Sequence, residues 1–157
     1  MNVEIRPATP ADAPEVADLY LASRKTFLPF APLAHSDEEV RTWILSRVIR
    51  SGGVTVAATS AGPVGMIAIS RDSLCGWIDQ LYLHPSAVGQ GIGTLLLSHA
   101  IKELGSPIRL YTFQANTGAR RFYERHGFKP IAFSDGSSNE EHCADVLYER
   151  SAAGDGP

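Results

Sequence analysis

Two cysteines, Cys75 and Cys143, are all that the 157 residues contain. A disulfide framework needs more, so both are expected to rest as reduced thiols in a cytosolic protein. Long apolar runs are missing too. No uninterrupted stretch approaches the roughly 20 residues that span a bilayer. The opening MNVEIRPATPADAPE carries charge and prolines where a secretory leader needs an apolar core. The expected location is the cytoplasm, with no membrane partner. Positive charge is not in excess either: 14 Lys and Arg stand against 17 Asp and Glu, a net charge of −3. That balance argues against a chain built as a whole to attract nucleic acid or an anionic membrane. The five histidines (35, 84, 99, 126 and 142) lack zinc spacing. His142-Cys143 beside Glu140 and Glu141 is the nearest approach to a metal cluster, and no metal is expected there.

What is present suits one globular domain with its own core, at 44% hydrophobic and 20% charged residues. VEIRPA (3–8) alternates like a short strand, and Thr9 with Pro10 opens a helix whose apolar side is Val16, Leu19, Tyr20 and Phe27. FLPFAPLAH breaks the helix with two prolines. Ser36 and Glu39 form a capping box for a second helix, with Val40, Trp43, Ile44 and Val48 inward and Gly52-Gly53 at its end. VTVAAT and VGMIAIS flank the turn SAGP as a hairpin, and GWIDQLYLH (76–84) is a third strand, dense enough to be central. Residues 94–104 and 117–126 read as helices around the strand IRLYTF (108–113). FKPIAF and ADVLYER close the sheet around SDGSSNEE. Residues 1–150 thus read as one α/β domain, and the tail 151–157 as disordered.

VGQGIG (88–93) sits between the third strand of this series and the helix that follows. The first N–H groups of a helix lack intrahelical partners, and the helix dipole adds positive potential, so such a junction attracts anions. Gly91 and Gly93 let the backbone itself approach a phosphate. A dinucleotide fingerprint is excluded because Gly89-Gln90-Gly91-Ile92-Gly93 is followed by Thr94, which breaks the G-x-G-x-x-G spacing. A P-loop is excluded by the lack of lysine. Alone, the loop leaves two readings open, an anion site and a glycine-softened turn with no ligand.

At this loop the chain resembles the GCN5-related N-acetyltransferase superfamily, whose [Arg/Gln]-x-x-Gly-x-[Gly/Ala] motif holds the acetyl-CoA pyrophosphate. Gln90-Gly91-Ile92-Gly93 fits its last four positions, while Val88 stands where the family usually has Arg or Gln. Because main-chain N–H groups do most of the holding, Val88 is expected to weaken the anchor only modestly. FQANTGARRFYERHGF resembles the second signature through Asn116, Ala119, Tyr123, Gly127 and Phe128. Positions 116, 119/120 and 123 share one helical face. The two signatures and intervening strands span about residues 3–149.

The resemblance implies an α/β (α+β) fold, with a mixed, mostly antiparallel sheet of six to seven strands flanked by about four helices. It implies acetyl-CoA as cofactor, held by Leu81, Tyr82, Leu83, the 88–94 loop including Val88, Gly89 and Thr94, Asn116, Arg120 and Tyr123. Asn116 would bond the pantetheine arm, Arg120 a phosphate, and Tyr123 would meet the thioester sulfur as general acid. Phe122, on the neighbouring face, is expected in the core. Backbone N–H groups at Leu81 or Leu83 would stabilise the oxyanion.

Asp79 is a carboxylate in an otherwise mostly apolar strand, which favours a cleft position and a role as base or amine anchor. The other reading is a structural carboxylate facing solvent. The stretch IDQL also resembles that of some aminoglycoside N-acetyltransferases, whose Asp there is implicated in handling the substrate amine.

In the resembling family the acceptor enters between the loop joining the first two helices and the final hairpin. Here those stretches offer Phe27, Phe30 and His35, and Asp135, Asn139, Glu140 and Glu141. Arg24 could instead bind an acceptor carboxylate. The implied function is N-acetyl transfer to a primary amine of a small molecule or peptide by direct transfer in a ternary complex. A non-catalytic acyl-CoA-binding sensor or interaction domain is the alternative. A homodimer is common in such folds.

Overall fold

The structure is a computed structural model and describes residues 2–151. Beyond Ser151 the tail expected to be disordered lies outside the described residues. β1 (Glu4–Pro7) leads through a 3-10 turn, Pro10–Asp12, into α1 (Ala13–Phe27). Asp12 pins this junction. Its carboxylate accepts both Arg6 guanidinium nitrogens, at 2.8 and 3.0 Å, and the Thr9 N–H at 2.8 Å. The Arg6 bonds hold the Asp12 carboxyl down at about 2, against the opposing pull of burial and with help from the Thr9 N–H.

Ser36 caps α2 (Asp37–Trp43) as the sequence predicts. Its N–H donates to Glu39 Oε1 at 2.9 Å, and the Glu39 N–H donates to Ser36 Oγ at 3.1 Å. The single helix expected up to Gly52 is in fact two pieces. α2 passes into a wider π-type stretch, Ile44–Ile49, which buries Ile44 and Val48 and leaves Arg47 exposed. Phe27, expected on the buried side of α1, is 42% exposed.

The remaining strands are β2 (Val54–Thr59), β3 (Gly62–Arg71), β4 (Gly76–Leu83), β5 (Ile108–Phe113), β6 (Lys129–Ser134) and β7 (Asp145–Arg150). They form one seven-stranded sheet in the order β1-β2-β3-β4-β5-β7-β6, with β4 at its centre. Every pairing is antiparallel except β4 with β5. Two-residue alternation decides which core each side chain joins. Val56 and Met66 pack under α1 and α2, with Val16, Leu19 and Ile44. Their neighbours Ala57 and Ile67 face the other way, under α3 (Ile92–Leu104), with Leu96, Leu97 and Ala100. α4 (Thr117–Arg125) covers the same face beside Leu110, Val146 and Tyr148. The result is the mixed, mostly antiparallel sheet of seven strands, flanked by four helices, that the resemblance implies. α3 starts two residues before the expected 94, because Gly91 turns the chain in a left-handed conformation at φ 81°.

Candidate active site

β4 and β5 pair at only two positions, Gly76 with Ile108 and Trp77 with Arg109, and then diverge. Beyond that point the sheet is open at its middle. On the other side of β4 the register jumps from Ile69–Ile78 to Ala68–Gln80, so Asp79 is a bulged residue with no partner. Bulges bend a strand and re-aim its side chains. Here the bulge leaves Asp79 exposed at the start of the divergence. The gap between the strands is a small cavity of about 110 Å³, lined among others by Asp79, Leu81, Phe113, Asn116 and Tyr123. The price of a charge in an apolar strand is thus avoided by solvent access.

A larger cleft, about 650 Å³, opens from Leu81, Tyr82 and Leu83 across the glycine loop to α4. It shares Tyr123 and Asn116 with the gap. Seven successive N–H groups, Val88 to Thr94, donate to no acceptor among the described residues, and the first backbone bond of α3 runs from Leu95 N–H to Gly91 O at 3.1 Å. Gly89 and Gly91 hold φ of 77° and 81°, a left-handed geometry that turns adjacent amides toward one concavity. Val88, Gly89, Gly91, Gly93 and Thr94 all line the cleft. A Cβ on Gly93 would lie 3.4 Å from the Phe122 ring, so the glycine lets α4 approach the loop. Phe122 packs against the core, as expected, and also lines the cleft. An extended anion fits this cradle. The donors are backbone groups, the positive end of α3 points at them, and Arg125 is the cation on the rim.

Two loop side chains do not take part. The Gln90 amide donates to Ser86 O at 3.1 Å, and the Ile92 side chain is buried in the core. Both can offer only their N–H groups. Val88 is 45% exposed at the cleft wall.

Asn116 caps α4: its Oδ1 accepts the Ala119 N–H at 3.2 Å, which leaves the amide NH₂ free for the cleft. Tyr123 is 8% exposed and packs edge-on against Phe122 and Phe128. Burial, with a smaller contribution from the Tyr82 phenol, pushes the Tyr123 hydroxyl well above the ordinary tyrosine range. It therefore stays protonated, as a donor. Arg120 is a correction. Its guanidinium is bound to the Tyr148 hydroxyl at 3.0 Å and lies over the Phe133 ring, on the sheet side of α4. The arginine of α4 that lines the cleft is Arg125, five residues on, which the motif does not mark.

The side on which the sequence leads one to expect the acceptor is assembled from long-range side-chain contacts. His35 meets Glu140, joining the α1–α2 loop to the β6–β7 hairpin. Phe30 packs edge-on to Phe113 at 6.1 Å, whereas Phe27 lines the glycine-loop cleft. Arg24 is turned into the protein, with its Nε buried and without a hydrogen-bond partner among the described residues. It is 5% exposed, donates to Ala31 O at 3.0 Å, pairs with Glu141 at 3.2 Å and approaches Phe113. Asn139 is also spent internally: its amide donates to Cys143 O at 2.7 Å and accepts the Cys143 N–H at 3.1 Å. Asp135 accepts the Ser137 N–H at 2.9 Å within its own turn. Trp43 and Arg47, absent from the sequence-based set, line both open grooves on this face. Their only signal in the sequence was a helical periodicity that pointed Trp43 inward. Both cysteines are free, and burial raises the Cys75 thiol. Among the described residues no three His, Cys, Asp or Glu side chains cluster to hold a metal, and no helix is long and apolar enough to cross a membrane.

The sequence profile of the acetyltransferase (GNAT) family matches residues 16–128. An uncharacterized N-acetyltransferase of Methanocaldococcus jannaschii is 28% identical over 142 residues, covering 80% of this chain and 60% of that protein. The chain spans less than two-thirds of the length of the curated relatives it matches. The solution structure of apo YjaB from Escherichia coli superposes with a TM-score of 0.78 at 21% identity, over 98% of this chain and 100% of that one. PaiA N-acetyltransferase from Thermoplasma acidophilum, crystallised with coenzyme A, gives 0.73 at 21% identity, over 96% and 99%. These likenesses establish the fold, and with a family profile that covers well over half its length, the chain belongs to the acetyltransferase (GNAT) family.

Proposed function

We propose that this protein is an acetyl-CoA-dependent N-acetyltransferase that acylates a primary amine of a small molecule or peptide by direct transfer in a ternary complex. The observation that carries the reading is the run of unpaired N–H groups from Val88 to Thr94, in a cleft that ends at Tyr123 and the β4–β5 gap. Those amides and Arg125 would hold the pyrophosphate, and Asn116 with the β4 backbone the pantetheine arm. Acetyl-CoA supplies an acetyl group on a thioester, whose carbonyl carbon accepts the amine as the C–S bond breaks.

The chain's own groups manage protons and charge. Asp79, exposed at the bulge, takes a proton from the incoming ammonium directly or through water. The opened edge of β4, at Leu81 and Leu83, offers N–H groups for developing negative charge. Tyr123 gives its proton to the departing thiolate, and its raised pKa keeps that proton available across the working range. The net charge of −3 and the exposed carboxylates favour an amine acceptor over nucleic acid.

The test is thiol release from acetyl-CoA over a panel of amines, beside thermal melting with CoA, ADP and NAD. Turnover together with a CoA-specific rise in melting temperature is expected. Stabilisation by CoA without turnover on any amine would identify a sensor domain instead.

A further inference from the structure

The groove that meets the reaction gap carries one unspent charge of each sign. It holds about 410 Å³ between the wide helical stretch Ile44–Ile49 and strands β3 and β4, and Asp79, Gln80, Trp43, Arg47 and Ser70 are among its lining residues. Asp79 and Gln80 also line the gap that contains Tyr123. Among the described residues, neither Asp79 nor Arg47 has an ion-pair partner, and the two stand more than 4.0 Å from each other. Opposite charges that share a groove without pairing leave room for a molecule that pairs with both.

The neighbouring groove, about 690 Å³, looks more cationophilic but is less available. Glu39 is bound to its own cap at Ser36, Glu140 to His35 and Glu141 to Arg24. Of its carboxylates Glu38 alone has no partner among the described residues, and although Arg47 lines this groove too, the groove shares no lining residue with the gap. Asp79 and Gln80 are the residues that the 410 Å³ groove shares with the Tyr123 gap, which puts the amine end of an occupant at Asp79 and its anionic end at Arg47.

We infer that the acceptor is a small amine that also carries a carboxylate, held with its ammonium at Asp79 and its carboxylate at Arg47, against Trp43. This rests on the acetyl-transfer reading above and narrows its substrate class. In the step itself the amine nitrogen bonds the acetyl carbon while the C–S bond of acetyl-CoA breaks. One ammonium proton leaves through Asp79 to solvent, and the second replaces the proton that Tyr123 gives to the sulfur.

The experiment uses matched pairs that differ only in the carboxylate: lysine and cadaverine, tyrosine and tyramine, 4-aminobutyrate and butylamine. A lysine-containing peptide and spermidine complete the set. The carboxylated partner is expected to have a KM about tenfold lower in at least one pair. Arg47→Gln should erase that preference and Arg47→Lys restore part of it, while the melting temperature and its rise with CoA stay unchanged, since Arg47 is exposed. Equal KM within every pair, preference for spermidine or the peptide, or a preference that survives Arg47→Gln overturns the inference. If no amine turns over, calorimetry decides, titrating the same pairs into the protein with CoA present. Carboxylate-selective binding that Arg47→Gln removes would keep this site and discard the acetyl-transfer reading; no selective binding would discard the site.

Discussion

The two halves of the cleft are built from different materials. On the glycine-loop side the groups presented are main-chain N–H groups, set by one turn and the start of one helix. On the side where the α1–α2 loop meets the β6–β7 hairpin they are side chains far apart in sequence, such as Arg24 with Glu141 and His35 with Glu140. A backbone cradle depends on conformation and tolerates changes of side chain. A side-chain network depends on identity and on every segment arriving in place. The first should therefore resist substitution except where φ is positive, and the second should yield to single changes.

The largest expected effect lies where the halves meet. Tyr123→Phe should lower kcat about 100-fold with little change in the KM for acetyl-CoA, measured by thiol release. Because the Tyr123 hydroxyl has no hydrogen-bond partner to lose among the described residues, the melting temperature should hardly move. On the backbone side, Gly91→Val forces a β-branched residue to φ 81° and should weaken CoA binding at least tenfold by calorimetry. Retained affinity would show that the loop does not hold the ligand through its conformation. On the side-chain side, Arg24→Met leaves the partly buried Glu141 carboxylate unpaired and should cost about 2–3 kcal/mol by chemical denaturation. CoA affinity should survive at temperatures where the variant is folded.

The Asp12 junction gives a pH test away from both halves. Its folded carboxyl is held at about 2, below the ordinary value, so its contribution is complete above pH ~4 and is lost as pH falls through about 2. Asp12→Ala should remove roughly 2 kcal/mol at neutral pH and flatten that acid limb, read by urea unfolding across pH. Smallest of all, Val88→Arg should lower the KM for acetyl-CoA about threefold, by adding a cation to a cradle already made of amides. An unchanged KM would show that the backbone does the holding alone.

Much of this was legible along the chain. Ser36 and Glu39 announced their helix, since a capping box involves only neighbours. The spacing of glycines and the Asn116–Tyr123 helix marked the cleft, because turn geometry and helical faces are local properties. The motif marks Arg120 and not Arg125, yet which side of α4 meets Tyr148 and which lines the cleft is settled by how the helix lies on β7. Arg24 and Asn139 were offered to a ligand for the same reason, since their protein partners come from elsewhere in the fold or from the closure of a hairpin.

By itself, then, the sequence determined most of the strands and helices, the alternation that sends Val56 and Ala57 to opposite cores, and the left-handed turns at Gly89 and Gly91 that favour glycine. Tertiary structure alone decided that β4 and β5 part after Trp77, that Asp79 bulges toward the opening, and which charges are spent. Local preferences act over a few residues and can be read one by one. Strand divergence and charge pairing join segments as much as 117 residues apart, and no window on the chain contains both ends.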